Sequence, residues 1–491
     1  MFYLNTIAAA ISAMWFLVVS CSIDNDESAA AIDPDQVTGR SAIGPVSVRI
    51  DTIRPFKEAD GYTYIEATMH GNVERDDGST GNYAVPMILV YPDDGGNGIA
   101  VVDWLITIDL HQGGFKASPG EWTPGRFALR TTDGYLFENG YMYATVQWDK
   151  AVTDHFGPSA PDDGEQNSHL IYGTIEEAPD AFEILRAAAR FLKNPDSPDG
   201  VGGPVPVDAV LSFGFSHSGT LQMEFMSSGK NLSNGELAYD GHLVGKAGLL
   251  CWTFHNNPPG YADLEPCYET PVDDGSKVIH IAAQGDVEAV LYAGRSRFPD
   301  NPNWRQYELA GVSHLPVAIG RLDENQNPAS SQPVFRAAFH NLARWVTEGI
   351  PAPPSEFLEG TLNADGTFET ELDEDGNALG GLRLPHMEQI IDGNMAGAPL
   401  GRYTGKHPEG GPDDLFWYGG YFEPFTGEEI VVRYPDHDTY VEQVKRAADY
   451  LLDTGYILRK DRDTYVEEAA DISINDGQPR RSALKNGNYK K

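Results

Sequence analysis

Basic residues and cysteines are scarce in this chain. Lysine and arginine number 35 against 73 aspartates and glutamates, a formal charge of −38 over 491 residues. A phosphate-backbone partner needs a basic face, so this balance excludes nucleic-acid binding. The acidity bears on solubility and suits a salty habitat; it says nothing about fold. Long apolar runs are also missing, apart from the stretch 6–20, TIAAAISAMWFLVVS, which is short for a membrane span. The 13 histidines form no HExxH or other tight ligand spacing, and no Walker loop or dinucleotide fingerprint occurs. A catalytic metal is therefore not expected, and no cofactor is required. The turns around Gly245-Lys246-Ala247-Gly248 and GVGG read as ordinary turns. What remains is a globular chain long enough for two or three domains, or for one large α/β domain with elaborations.

The few cysteines carry information by position. The apolar run ends in Val18-Val19-Ser20-Cys21, which resembles a bacterial lipobox, where a cysteine is diacylated and becomes the mature N-terminus. No Lys or Arg precedes the run, which departs from the usual pattern. The acidic, small and polar residues that follow suit a flexible tether. The reading is a lipoprotein-type signal peptide over 1–21 and an acidic linker over 22–45. It implies export, with a lipid anchor on Cys21 as the only membrane attachment; an ordinary cleaved signal peptide would leave a periplasmic or secreted protein. Cys251 and Cys267 are a disulfide candidate in such a compartment, worth roughly 3 kcal/mol for a loop of about 15 residues. Two unrelated buried thiols are the alternative. Without a second pair they do not make a zinc site.

From residue 46 the pattern is strand-like: VSVRI, YTYIEATMHG, YAVPMILVYP and GIAVVDW are rich in β-branched and aromatic residues and separated by Gly/Asp turns. YMYATVQWD is a further strand. Helical periodicity takes over in EEAPDAFEILRAAARFLKN, where Phe182, Leu185, Ala188, Ala189 and Leu192 share one stripe. Strands and helices then alternate up to VFRAAFHNLARWVTEG, which predicts a largely parallel sheet covered on both faces. One unit is expected: an α/β core over 46–350, with N-terminal β elaboration, and a C-terminal extension over 351–491 packed on that core. That extension starts with extended segments and turns, passes through the loop GRYTGKHPEGGPDDLFWYGGYFEPF, and ends in two helices. DEDGN at 373–377 has calcium-like residues, but its Gly sits at the wrong offset for an EF-hand, so a turn is expected.

The sharpest motif is Gly214-Phe215-Ser216-His217-Ser218-Gly219, between the apolar strand VDAVLSF and the helix GTLQMEFMSS. It resembles the nucleophile elbow of α/β-hydrolases, in which small flanking residues allow a tight strand-to-helix turn. Ser216 would project above the sheet at a helix N-terminus, where the His217 N–H favours developing negative charge. A second oxyanion donor is expected from the backbone near Leu105 or Ile106. A serine needs a base and an acid, and both follow in the required order. KVIHIAA runs into Gln284-Gly285-Asp286-Val287-Glu288, and WRQYELAG runs into Val312-Ser313-His314. His314 is the expected base. Gly-x-x-acid spacing favours Glu288 as its orienter, with Asp286 as the alternative.

The chain resembles the bacterial, mostly exported family labelled "α/β hydrolase domain-containing protein". The matching stretches run from YAVPMILVYPDDGGNGIAVVDWL through GFSHSGTLQMEFM, YDGHLVGKAG and RFPDNPNWRQYELAGVSH to DEDGNALGGLRLPH and YVEQVKRAADYLLDTGYILRKD. The resemblance implies Ser216 as nucleophile, His314 as base and an acid within QGDVE. The family commonly has Gln where this chain has His217, and tends to a polar residue at Ile106, so the substrate differs from that of close relatives. GGLRLPHMEQ is expected to cross the rim of the site, with Arg383, His386, Trp417, Tyr418 and Tyr421 as substrate contacts. The expectation is a serine hydrolase cleaving a small-molecule or polymer carboxylic ester. A peptidase or amidase would use the same residues, and a catalytically inactive surface lipoprotein that binds a glycan or lipid is the reading from another class.

Overall fold

The computed structural model of the chain describes residues 46–56, 59–75, 77–104, 116–118, 121–122, 134–148, 150, 174–177, 180–193, 207–233, 235–248, 274–315, 325–409, 411, 415–472 and 474. Cys21, Leu105, Ile106, Cys251 and Cys267 lie outside them, so the lipid anchor, the disulfide and the second oxyanion donor have no structural counterpart among the described residues.

A single large sheet organises the described chain. Its strands are β1 (Ser47–Pro55), β2 (Tyr62–Glu74), β3 (Thr80–Pro92), β4 (Ile99–Asp103), β5 (Met142–Val146), β6 (Ala209–Phe215), β7 (Gly241–Gly245), β8 (Lys277–Ala283) and β9 (Trp304–Leu309). They lie in the order β1-β2-β3-β5-β4-β6-β7-β8-β9, with the short segment Thr174–Ile175 beside β3. The first three strands form an antiparallel meander and β3 meets β5 antiparallel. From β5 onward every pairing is parallel. The strand order reverses at β4, so β4 and β6 leave a crevice at their carboxyl ends, where parallel α/β sheets hold their ligands. The residues that follow β6 are the Ser216 elbow.

Burial on both faces explains why these strands read as nearly continuous apolar runs. In β4 Val101 joins one buried cluster and Ala100 and Val102 the other; in β6 Leu211 and Phe213 lie opposite Val210. Helices α1 (Asp180–Lys193) and α2 (His217–Ser227) cover one face. Helix α3 (Gln332–Glu348) covers the other through Phe335, Ala338, Phe339 and Leu342. Residues beyond 350 belong to that same second cluster, among them Leu382, Leu384, Met387, Tyr403 and Phe422. The tail also extends the sheet edge: Glu308 N donates to Glu356 O at 2.9 Å and Leu382 N to Glu308 O at 2.8 Å, both on the outer edge of β9. The loop expected around 401–425 contains an antiparallel pair, β10 (Gly401–Thr404) with β11 (Tyr421–Pro424), whose alternating Gly and aromatic residues hid the strand period. Helices α4 (His437–Asp453) and α5 (Arg459–Asp471) close the described chain. Arg336 of α3 bonds Asp461 of α5 at 2.8 Å, which ties the last helix to the core. DEDGN forms a turn in which Asp373 accepts from the Asp375 and Asn377 amides.

Two histidines are built into the sheet interior, and they make stability depend on pH. His242 of β7 accepts at Nδ1 from Ser212 Oγ (2.6 Å), which in turn accepts from Gln222 Nε2 (2.7 Å). His280 of β8 donates Nε2–H to Ala247 O at 3.0 Å. Burial, opposed by Asp274 at the first and by the Ala247 bond and Asp286 at the second, pushes each down to about 4. The folded chain then keeps both neutral while the unfolded chain takes up protons below about pH 6.5. Stability present above pH 6.5 is therefore lost as pH falls toward 4, by up to about 1.4 kcal/mol per pH unit per histidine. Buried Glu308, whose carboxyl is raised by desolvation, works in the opposite sense. Urea unfolding at pH 7, 5.5 and 4 should show a falling midpoint. A flat profile would mean that the buried histidines are not held neutral.

Candidate active site

The elbow after β6 is built as tightly as its composition requires. Ser216 has φ 57° and ψ −121°, a strained conformation for a residue with a side chain, and α2 begins immediately after it at His217. A Cβ on Gly214 would lie 2.6 Å from Ser218 O and 2.5 Å from Gln222 Oε1, so only glycine fits there. Ser218 is more than a small residue. Its Oγ accepts from Phe215 N and lies against Phe215 O, both at 3.0 Å, stitching the turn from inside. From the next strand, Gly245 O accepts the Ser216 N–H at 2.9 Å. The Ser216 backbone is therefore pinned by β7, and its hydroxyl lies against His314 Nε2.

His314 and Asp286 reach that hydroxyl from the ends of β9 and β8. His314 Nε2 lies 3.1 Å from Ser216 Oγ, and His314 Nδ1 lies 2.6 Å from Asp286 Oδ1. Asp286 is fully buried and its second oxygen accepts the Ala283 N–H at 2.8 Å. That bond fixes the carboxylate plane and leaves Oδ1 for the imidazole. His314 is 4 % exposed, close to water but mostly shielded from it. The ring of Phe215 packs on it from one side (centroids 5.7 Å) and that of Tyr418 from another (5.7 Å).

The expected orienter Glu288 is corrected by this geometry. Residues 286–290 form a helical turn, in which side chains two apart point in nearly opposite directions. With Asp286 aimed at His314, Glu288 is turned away. Its Oε1 accepts from Gln284 Nε2 (2.8 Å) and Thr370 Oγ1 (3.0 Å), and Oε2 pairs with Lys406 Nζ at 3.4 Å. Gln284 Oε1 in turn accepts the Gly311 N–H at 2.9 Å, so Glu288 supports the His314 loop from a distance.

The tail wraps these two loops. A Cβ on Gly405 would lie 2.1 Å from Gly285 N, and one on Gly420 would lie 2.7 Å from Ser313 Cβ. Leu315 N donates to Tyr418 O at 2.8 Å, and Asn327 Nδ2 joins Gly311 O to Thr404 O, each at 2.9 Å. Of the expected rim residues, Tyr418 is in contact with His314, whereas Trp417 packs on Val290 and Leu291. Tyr421 meets His407, with centroids 5.1 Å apart. His386 packs on Tyr403 (4.8 Å) beside the Gly311 backbone, and burial pushes its imidazole down to about 4. Arg383 pairs with Asp373 at 3.3 Å. Neither is brought to Ser216. The apolar packing of Met387 and the glycine turns draw GGLRLPHMEQ against the Ala310–Gly311 backbone, a placement no local pattern announced.

The His217 N–H lies at the first helical position beside Ser216, as an oxyanion donor requires. Trp104 N is already committed to Phe213 O at 2.7 Å, so a donor from the loop after β4 would have to come from beyond residue 104. Sequence reasoning passed over Lys246, a fully buried lysine whose Nζ reaches the backbone under His314. Its signal was a charged residue directly after an apolar strand that has no room for one.

Comparison with known proteins agrees with this architecture. The alpha/beta hydrolase domain family matches over residues 58–467. No curated protein matches the chain. Among solved structures, a glucuronoyl esterase from Teredinibacter turnerae is 14% identical, with 41% of this chain and 46% of that one covered, at a TM-score of 0.24. This chain thus spans just under half the length of that protein. An acetyl xylan esterase from a Thermoanaerobacterium species is 13% identical over 56% of this chain and 84% of its own, at a TM-score of 0.28. An esterase from Pyrobaculum calidifontis is 12% identical over 63% and 87%, at 0.29. With a family match that starts ahead of β2 and ends inside α5, the chain belongs to the alpha/beta hydrolase domain family.

Proposed function

We propose that the protein is a serine hydrolase that cleaves carboxylic esters through an acyl-enzyme. The observation that carries this reading is the unbroken line Ser216 Oγ, His314 Nε2, His314 Nδ1, Asp286 Oδ1, at 3.1 and 2.6 Å, ending on a strained serine at a helix N-terminus. His314 takes the Ser216 proton as Oγ attacks the carbonyl carbon, and Asp286 holds the imidazole in the tautomer that leaves Nε2 free to accept. The His217 N–H faces the developing oxyanion. His314 then gives the proton to the leaving alkoxide, and water repeats the sequence on the acyl-Ser216 ester. A serine at the elbow, where a carboxylate would be needed to displace a halide or open an epoxide, favours acyl transfer.

The same residues would serve an amide bond, so the leaving group decides between esterase and amidase. Hydrolysis of p-nitrophenyl acyl esters beside the matching p-nitroanilides, using the chain from residue 22, tests the choice. Esters are expected to turn over at least about a hundredfold faster in kcat/KM. Faster anilide turnover would make the enzyme an amidase. Failure of both substrates to react, with no labelling by a fluorophosphonate, would favour a binding protein on a hydrolase scaffold. Export with a lipid on Cys21 belongs to this reading as well, supported by the apolar run 6–20 and the acidic tether behind it.

A further inference from the structure

β7 is followed by a residue that the line from Ser216 to Asp286 does not use. Lys246 follows the strand directly, has no exposed surface and takes a left-handed backbone conformation at φ 44°. Either property alone disfavours lysine. A buried ammonium loses its hydration, and a left-handed φ suits glycine or asparagine better than a long side chain. Its partners repay that burial. Nζ donates to Ser313 O at 2.7 Å and to His314 O at 3.1 Å, and the ring of Phe215, the residue before the nucleophile, lies 5.8 Å away. The backbone joins the same arrangement, since Lys246 N donates to Ile281 O at 2.6 Å. One residue earlier, Gly245 O accepts the Ser216 N–H. The dipeptide Gly245-Lys246 therefore grips the nucleophile with its first residue and the loop of the base with its second.

We infer that Lys246 is a positioning residue of the proposed hydrolase: its ammonium fixes the Ser313–His314 backbone relative to Ser216. The inference rests on the serine-hydrolase reading. The Ser313 and His314 carbonyls are held by charge-assisted bonds, which set the 3.1 Å approach of Nε2 to Oγ. Burial lowers the ammonium itself to about 8, so it carries its charge at neutral pH. A purely structural lysine would affect stability without a selective loss of kcat in the folded protein.

The test is kcat and KM on a p-nitrophenyl ester for wild type, Lys246→Met, Lys246→Arg and Ser216→Ala. Lys246→Met removes the charge at similar volume. It is expected to lower kcat on the order of ten- to a hundredfold with KM within about twofold, because ground-state contacts are untouched. Lys246→Arg keeps a charged donor and should recover kcat to within about threefold of wild type. A folded Lys246→Met whose kcat stays within about twofold of wild type overturns the inference and leaves a structural lysine. If Lys246→Met does not fold, Lys246→Gln replaces it, and equal kcat for the Gln and Arg variants overturns the inference. Activity that survives Ser216→Ala removes the serine-hydrolase reading and this inference together. Activity lost in Ser216→Ala with an undiminished kcat in Lys246→Met removes the inference alone.

Discussion

Asp286→Asn is expected to lower kcat by about four orders of magnitude with KM nearly unchanged, as loss of the orienting acid does in a Ser-His-Asp arrangement. The reason lies in the hydrogen bonds around the carboxylate. Ala283 N–H points at Oδ2 and needs an acceptor, so the asparagine carbonyl will face it and the amide NH2 will face His314. Nδ1 would then have to accept, which places the ring proton on Nε2, and Nε2 could no longer take the proton of Ser216. Geometry is kept while the tautomer is wrong. Glu288→Gln is the control. Its partners are Gln284, Thr370 and Lys406, none of which touches the imidazole, so kcat should stay within about threefold and stability should fall by about 1 kcal/mol. Stopped-assay kinetics of both variants on one p-nitrophenyl ester decide the assignment. The reverse pattern, with Glu288→Gln inactive and Asp286→Asn active, would show that the acid turn rearranges during catalysis.

That pair of carboxylates marks the limit of what the chain discloses. Ser216 and His314 were legible because the chemistry demands them at ends of strands whose apolar runs are themselves legible. The elbow's small residues are imposed by a clash that any reader of Gly214 and Ser218 can anticipate. Choosing between Asp286 and Glu288 needed the helical turn at 286–290, whose handedness decides which side chain faces His314. Nothing in DVEAV states that turn. The parallel sheet and helices α1 and α3 were plain from periodicity and buried stripes. The pairing of β10 with β11 was not, since GRYT and YFEP are four residues each, too short to show a strand period.

Long-range packing explains the other misplacements. Arg383 and His386 lie in a segment with the right polarity for a rim. Leu382, Leu384 and Met387, however, are buried in the main core, and they fix where the polar residues between them can go. Arg383 therefore meets Asp373, and His386 is drawn against Tyr403. Among the rim aromatics, Tyr418 is the one that reaches His314. Lys246 escaped notice for the opposite reason. GKAG has turn composition, and it is a turn; only the three-dimensional neighbourhood turns its lysine inward beneath Ser313 and His314.

The central claim is that Ser216 is the nucleophile. The most direct measurement is ester hydrolysis by the chain from residue 22, with Ser216→Ala assayed beside it under identical conditions. Removing the hydroxyl leaves His314 and Asp286 without a nucleophile to activate, and only binding and oxyanion contacts remain. The expected result is a fall in kcat of about a million-fold, to the assay background, together with loss of fluorophosphonate labelling. Ester turnover at an undiminished rate by a folded Ser216→Ala protein would contradict the account, because the reacting group would then lie elsewhere.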